Sequence, residues 1–442
     1  MAGWLRCFAS AAGGGVAVPF AVMLVPLTLL VFGAADYQRA SQVRVGLQES
    51  LDAAALAVGR STAESEAEVQ ALGANVLQAN LRVFGDDVEL ISSDFNLNSG
   101  KVTASASAKV KPVAADLLMQ DITVGATTEV ARSKNVEVAM VLDTTGSMQG
   151  QKIIDLRAAA NDLVDIVVKD SQTPFYSKVA VVPYSMGVNA STYAAAVRGT
   201  YPTGTSTTPG SQRYRFFNPY GEEKTFTISS CVTERTGANA YTDAAPTTTL
   251  LGRNYPSPDN PCSVNAFVPL SSDRPALKTK INALQASGST AGHVGVGWGW
   301  YLVSPNFGYL FPAASRPAAY ASNNLVKAVV LMTDGEYNSS YCNGVISKDS
   351  TTGSGATSEH INCNASNGHA FNQATTLCTN MKAAGVIVYT VGFNVVNDQR
   401  AKDLVNQCAT SSAHVYLPSG GAALKSAFRA IAQDISSLRL SR

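Results

Sequence analysis

Residues 13–35 carry no charged side chain, and within them 16–32 read VAVPFAVMLVPLTLLVF, which is almost wholly apolar. These twenty-three uncharged residues are enough for a helix to cross the ~30 Å hydrocarbon layer of a bilayer. The first element is therefore a membrane segment or a leader removed on export. Arg6 ahead of it and the small Gly33 and Ala35 behind it fit a cleaved signal peptide. The apolar run is longer than the roughly 7–15 residues of a usual signal core, which favours an uncleaved anchor over about 16–35 behind a short N-terminus, 1–15. Pro19 and Pro26 are tolerable in such a helix.

Flanking charge does not orient the anchor, because Arg6 precedes it while Arg39 and Arg44 follow. The cysteines divide more sharply. Cys7 lies before the span, and Cys231, Cys262, Cys342, Cys363, Cys378 and Cys408 all lie beyond it. An even set on one side suits an oxidising compartment with up to three disulfides, so the expectation is a cytoplasmic N-terminus and an extracytoplasmic body on a single-pass anchor. No C-x-x-C pair supports a zinc site. Lys plus Arg number 33 against 32 Asp plus Glu, so no net field draws the chain to nucleic acid.

Beyond the span, residues 37–81 read as one helix, with apolar side chains at helical intervals (Val43, Leu47, Leu51, Leu56). Alternating runs at 87–92, 101–109 and 122–130 read as a small antiparallel sheet. Together, 36–134 form an α+β stalk. From residue 135 the pattern changes: VEVAMVL, VAVVPYS, KAVVLMT, VIVYTVGF and HVYL alternate with helices at 151–168, 274–286, 294–303, 369–384, 399–407 and 422–438. Strands apolar on both faces, separated by amphipathic helices, imply an α/β fold with a mostly parallel sheet covered on two sides. Ser-, Thr-, Gly- and Pro-rich stretches at about 190–268 and 338–368 interrupt it as insertions. A local disulfide in each, Cys231–Cys262 and Cys342–Cys363, would order it and would leave Cys378 with Cys408; this is one of fifteen connectivities.

In a parallel sheet, ligands bind beyond the carboxyl ends of the strands. Asp143, Thr145 and Ser147 follow one strand in VLDTTGSM, Asp334 follows another in LMTDGEYN, and Thr290 stands in the glycine-rich loop SGSTAGHVG before a helix. Two carboxylates with hydroxyls, and no His or Cys, form a hard-oxygen set suited to Mg²⁺, Mn²⁺ or Ca²⁺. Each piece alone has a plainer reading: Asp143 or Thr144 as a helix N-cap, TDG as a turn, GST as a loop. A cap predicts that Asp143→Ala destabilises equally with and without metal. A metal site predicts that the metal-free variant is as stable as the parent or more so. There is no G-x-x-x-x-G-K-[ST], H-E-x-x-H or G-x-S-x-G, and Thr145 stands where a D-x-D-x-T phosphatase needs an aspartate.

D-x-T-x-S, T-x-x-x-x-G and TDG in this order resemble the metal-ion-dependent adhesion site of von Willebrand factor A domains. The resemblance implies a doubly wound, Rossmann-like sheet over 135–442, with Asp143, Thr145, Ser147, Thr290 and Asp334 as metal ligands; Thr145 stands where many members have serine. The N-terminal span followed by GAADYQRASQVRVGLQESLDAAALA is similar to TadG-like proteins of Flp/Tad pilus systems, which join a pilin-like anchored stalk to such a domain. The resemblance implies a non-enzymatic, membrane-anchored protein using Mg²⁺ to bind an acidic side chain of a pilus or envelope component. Two other classes remain: a Mg²⁺-dependent hydrolase with Glu336 or His293 as base, and a structural minor pilin with a vestigial site. The cysteine division has a direct consequence. Thiol counting on denatured, unreduced protein should find one free group, Cys7, and a count of five or more would overturn the oxidising compartment.

Overall fold

The computed structural model describes residues 17–63, 65–98, 101–112, 121–320, 322 and 324–439. The expectations for the N-terminus, Arg6 and Cys7 among them, lie outside the described residues. Two compact units meet in sequence between Arg132 and Ser133.

The first unit begins with α1 (Ala17–Gly59), a 43-residue helix that contains Pro26. Its first half is apolar and exposed all round (Val18, Phe20, Met23 and Leu30 among others), and it is long and apolar enough to cross a membrane. Its second half buries one stripe, Val43, Leu47, Leu51, Ala54 and Val58, in a core shared with Phe95 and Val102. The single helix expected to residue 81 is in fact two. α1 stops at Gly59, and α2 (Glu66–Leu81) starts afresh from a capping box in which the Ser65 hydroxyl accepts from the Glu68 N–H and the Glu68 carboxylate accepts from the Ser65 N–H. That box satisfies two otherwise free donors and so stabilises the restart. β1 (Val88–Asn98), β2 (Lys101–Val110) and β3 (Ile122–Ala131) complete an antiparallel meander.

The second unit is built on six strands: β4 (Asn135–Asp143), β5 (Ser177–Tyr184), β6 (Val268–Ser271), β7 (Leu325–Thr333), β8 (Ile387–Gly392) and β9 (Val415–Tyr416). Their order is β6-β5-β4-β7-β8-β9; every pairing is parallel except that of edge strand β6 with β5. Alternate residues serve opposite faces. Ala139, Val141, Val329 and Leu331 enter one core, and Val138, Met140, Val330 and Met332 enter the other. The second core is closed by α3 (Gln151–Val167), α4 (Arg274–Asn282) and α8 (Gly421–Arg439), the last through Leu424, Phe428, Ile431 and Ile435. The first is closed by α5 (Gly292–Tyr301), α6 (Ala370–Ala383) and α7 (Gln399–Cys408). Every residue of α5 is buried, and glycine permits its close approach to the sheet: a methyl at Gly295 would lie 2.7 Å from the Tyr184 ring.

The insertions are more regular than their composition suggests. Arg213–Phe217 and Glu223–Thr227 pair as an antiparallel hairpin, and Tyr341–Cys342 pairs with Val345–Ile346. Alternation in RYRFF turns Tyr214 and Phe216 onto Phe226, Tyr255 and Ile361, giving the insertions an apolar cluster of their own. Three disulfides form, Cys231–Cys262, Cys342–Cys363 and Cys378–Cys408, closing separations of 31, 21 and 30 residues. Each contributes ~3–4 kcal/mol on loop-closure grounds.

One charged pair is embedded in the sheet itself. Glu137 on β4 faces Lys327 on β7, with Nζ donating to Oε2 at 2.6 Å and to the Val303 carbonyl at 2.7 Å. The other Glu137 oxygen accepts from the Tyr176 hydroxyl and the Ala318 N–H, both at 2.9 Å. Burial lowers the Lys327 ammonium, and Glu137 pulls it back up. Glu137→Gln leaves that ammonium uncompensated and should cost ~3–5 kcal/mol in a denaturation series. Replacing both residues with leucine should cost far less.

Candidate metal centre

The chain fills β4 and β5 to one side of the sheet, then returns through β7 to the other side, so β4 and β7 are neighbours where the strand order reverses. Their carboxyl ends splay into a crevice there, since the following segments leave in opposite directions. Asp143 is the last residue of β4, and Asp334 follows β7 directly.

Asp143 does not cap a helix. α3 begins at Gln151 with Gly150 as its N-cap, and no side chain caps it. Asp143 is instead fully buried and accepts hydrogen bonds on both oxygens. Oδ1 takes the Thr145 N–H at 2.9 Å and the Thr145 hydroxyl at 2.6 Å. Oδ2 takes the Tyr184 hydroxyl at 3.0 Å, the Thr333 hydroxyl at 3.1 Å and the Asp334 N–H at 3.4 Å. From Thr145 the contacts continue outward: its hydroxyl lies 2.9 Å from that of Ser147, which donates to Asp334 Oδ1 at 2.6 Å. Four of the five expected ligands thus form one continuous relay from a buried floor to the exposed Ser147. Thr290 reaches the same rim by its backbone. Its N–H donates to Asn338 Oδ1 at 2.9 Å, and its carbonyl accepts from the Asn338 and Ser339 N–H groups. Gly146 N–H donates to the Gly288 carbonyl at 2.8 Å, fastening the Thr290 loop to the Asp143 loop. Among the described residues no hydrogen bond joins the Thr290 hydroxyl to the relay.

Two participants were not foreseen. Tyr184 buttresses Asp143 from β5, and its terminal place in VAVVPY resembles any core aromatic. Lys152, the second residue of α3, places Nζ 2.6 Å from Asp334 Oδ2, although that carboxylate is only 2% exposed. The bonds to Asp143 also correct the expectation for Asp143→Ala. Removing this acceptor orphans the buried Thr145 N–H, although the Tyr184 and Thr333 hydroxyls keep the Met332 and Gly335 carbonyls, so the variant is destabilised with or without metal. It therefore cannot separate a cap from a ligand.

The electrostatics suit a cation. Burial, and then the charge of Asp334, raise the Asp143 carboxyl from its ordinary 3.8 to about 6, while the Thr145 and Tyr184 bonds oppose the rise. The Lys152 ammonium pairs with Asp334 alone, so the two buried carboxylates leave an excess of negative charge among oxygen donors. Among the described residues there is no group of three or more His, Cys, Asp or Glu, so any ion held here depends on hydroxyl ligands. Neither possible base of a hydrolase makes a hydrogen bond to the relay among the described residues. Glu336 pairs with Arg400 at 3.2 Å, and His293 is fully buried with Nε2 3.2 Å from Glu234.

Residues 14–61 match the putative Flp pilus-assembly TadE/G-like family. The matched stretch covers the whole of α1, so that helix, including the residues it buries in the first unit, carries the likeness. No curated protein matches the chain. Among solved structures the chain is similar to the vWF domain of the type V pili tip protein Mfa5 from Porphyromonas gingivalis, at 14% identity and TM-score 0.40, over 71% of this chain and 98% of that one. It is also similar to the pilus adhesin SpaC from Lactobacillus rhamnosus GG (14% identity, TM-score 0.36, 80% of this chain and 35% of that one). A third is proximal thread matrix protein 1 of the mussel byssus (13%, 0.33, 69% and 48%). All three likenesses are distant.

A carboxyl raised in the folded state contributes stability that is complete below its unfolded value, near ~3.9, and is lost as pH rises through about 6. In EDTA the protein should therefore lose stability between about pH 4 and pH 7, on the order of 2–3 kcal/mol from this group. Asp334→Asn removes the second cause of the shift and should shrink the loss without abolishing it. Equal pH slopes in thermal melts of the two proteins would refute the coupling.

Proposed function

We propose that the chain is a TadG-like component of a Flp/Tad pilus system: a single-pass, inner-membrane-anchored, non-enzymatic binding protein with an extracytoplasmic von Willebrand factor A domain over 135–442. The relay Asp143–Thr145–Ser147–Asp334 at the reversal point of the sheet carries this reading, and the TadE/G-like match over 14–61 supports its pilus context. Asp143, Thr145, Ser147, Thr290 and Asp334 would hold Mg²⁺, or Mn²⁺ or Ca²⁺ in its place. An ion there supplies an electrophilic centre for an acidic side chain of a pilus or envelope partner.

Lys152 sharpens that chemistry. With its ammonium on Asp334, the two aspartates and the lysine sum to one negative charge, so a divalent ion leaves the loaded site positive. The hydroxyls of Thr145 and Ser147 add oxygen donors without adding charge. A positive, half-exposed centre rewards an external carboxylate and discriminates against basic partners.

Ser147 is the ligand to test, because it is exposed and its loss orphans little. Thermal melts of the full chain in detergent should show a Mg²⁺-dependent rise worth about 2.7 kcal/mol when the ion stands at 100 times its dissociation constant. Ser147→Ala should remove most of that rise, leave the EDTA melt close to the parent's, and weaken Mg²⁺-dependent crosslinking to envelope partners in cells. An unchanged rise in Ser147→Ala would exclude the metal site.

A further inference from the structure

The two insertions enclose a second site that the metal centre does not use. They are stapled by Cys231–Cys262 and Cys342–Cys363 and meet where the Tyr255 N–H donates to the Gly344 carbonyl at 2.8 Å. Gly344, with φ +84, has no side chain to keep it from the Arg253 carbonyl. Between them lies a cavity of about 230 Å³ lined by Arg198, Arg253, Glu234, Leu250, Thr236 and Ser366.

Its charge is unusual. Arg198 is 5% exposed; it donates to the Gly199 and Ser229 carbonyls, stacks at 5.0 Å over Tyr201, and keeps an unpartnered Nε. The Arg253 guanidinium lies beside Gly210 and also keeps a buried, unpartnered Nε. Among the described residues no carboxylate pairs with either. Glu234 also borders the cavity; its Oε1 accepts the Tyr341 N–H at 2.8 Å, and its Oε2, 3.2 Å from His293 Nε2, makes no hydrogen bond, so the two arginines outnumber the one carboxylate there. The terminal nitrogens of Arg198 are taken up by backbone carbonyls, so Arg253 supplies the donors facing the recess and Arg198 adds positive charge beside it, a setting that favours an anion of planar geometry.

The rest of the lining narrows the ligand. The Thr236 and Ser366 hydroxyls offer hydrogen bonds to a polyhydroxylated molecule, and exposed Leu250 offers an apolar face to a ring. At about 230 Å³ the cavity has room for one sugar ring. We propose that the insertion cavity binds a carboxylated sugar, with the Arg253 guanidinium holding the carboxylate, Arg198 adding positive charge, and Thr236, Ser366 and Leu250 holding the ring. The site is independent of the metal centre.

Calorimetric titration of the full chain in detergent, in Mg²⁺ and in EDTA, tests this with three probes: methyl glucuronide, methyl glucoside and N-acetyl-aspartate amide. Methyl glucuronide should bind at least about tenfold more tightly than the other two, and equally with and without Mg²⁺. Arg253→Gln should weaken it by about tenfold or more. Leu250→Asp, at an exposed rim position, should weaken it similarly by repulsion and serves if Arg253→Gln does not fold. Equal binding of the glucoside would overturn the proposal, and so would tighter binding of the aspartate derivative, which points to an acidic peptide. Dependence on Mg²⁺, absence of binding at millimolar glucuronide, or unchanged affinity in the folded variants would overturn it as well.

Discussion

The side-by-side pairing of β4 and β7 sets the architecture of the second unit. Between them in sequence lie α3, β5, the first insertion, β6, α4 and α5, yet Leu325 to Leu331 run in parallel register with Asn135 to Val141. Strands apolar on both faces cannot stop at one layer of helices, because the uncovered face would expose Val and Ile side chains to water. The chain therefore places α3, α4 and α8 over one face and α5, α6 and α7 over the other. That requires the order to reverse somewhere, and it reverses between β4 and β7. The meeting of Asp143 and Asp334 follows from covering a two-sided sheet.

Much of this was legible because it rests on local pattern. Five of the six strands of the second unit's main sheet and the helices that cover it announce themselves by periodicity, while the four-residue edge strand β6 does not; the cysteine spacings suggested the pairings that form. The break between α1 and α2 was also written locally, as Ser65 followed by Glu68, but the helical periodicity on either side of it concealed the stop. The small sheets of the insertions were hidden by composition. In RYRFF and EKTFT the alternation is present over only five residues each, too short to outweigh the surrounding Thr, Ser, Gly and Pro.

What sequence could not show is pairing across long separations. Lys152 reads as an ordinary charge on the exposed face of an amphipathic helix, and only the reversal of strand order brings it to Asp334. Tyr184 reads as core and is core, but its hydroxyl also supports the floor of the site. The same holds for Glu137 and Lys327, two charges inside otherwise apolar strands that would count against strand assignment until their mutual register is known. The disulfides act differently. Cys231–Cys262 and Cys342–Cys363 hold insertions that have a small apolar cluster, while Cys378–Cys408 ties α6 to α7, already packed on the sheet. Loop closure matters most for the first two, since segments with little apolar burial have little else to offset their ordering entropy.

The two charge clusters on β4 and β7 differ in a way that separates structure from site. Towards the amino ends, Glu137 and Lys327 satisfy each other, and a tyrosine hydroxyl, a backbone N–H and a carbonyl take up the remaining bonds. Charge and hydrogen bonding balance there, and the pair needs nothing from outside. At the carboxyl ends, the hydrogen bonds of Asp143 are filled but its charge is not, and Asp334 adds a second negative charge against a single ammonium. An interior that can balance a buried charge so completely at one end of two strands is not compelled to leave an imbalance at the other. Local rules of burial are broken where a ligand is expected to complete them. The unbalanced end is also where the hydroxyls gather and where the surface opens at Ser147, so the residual charge, the donor atoms and the access coincide.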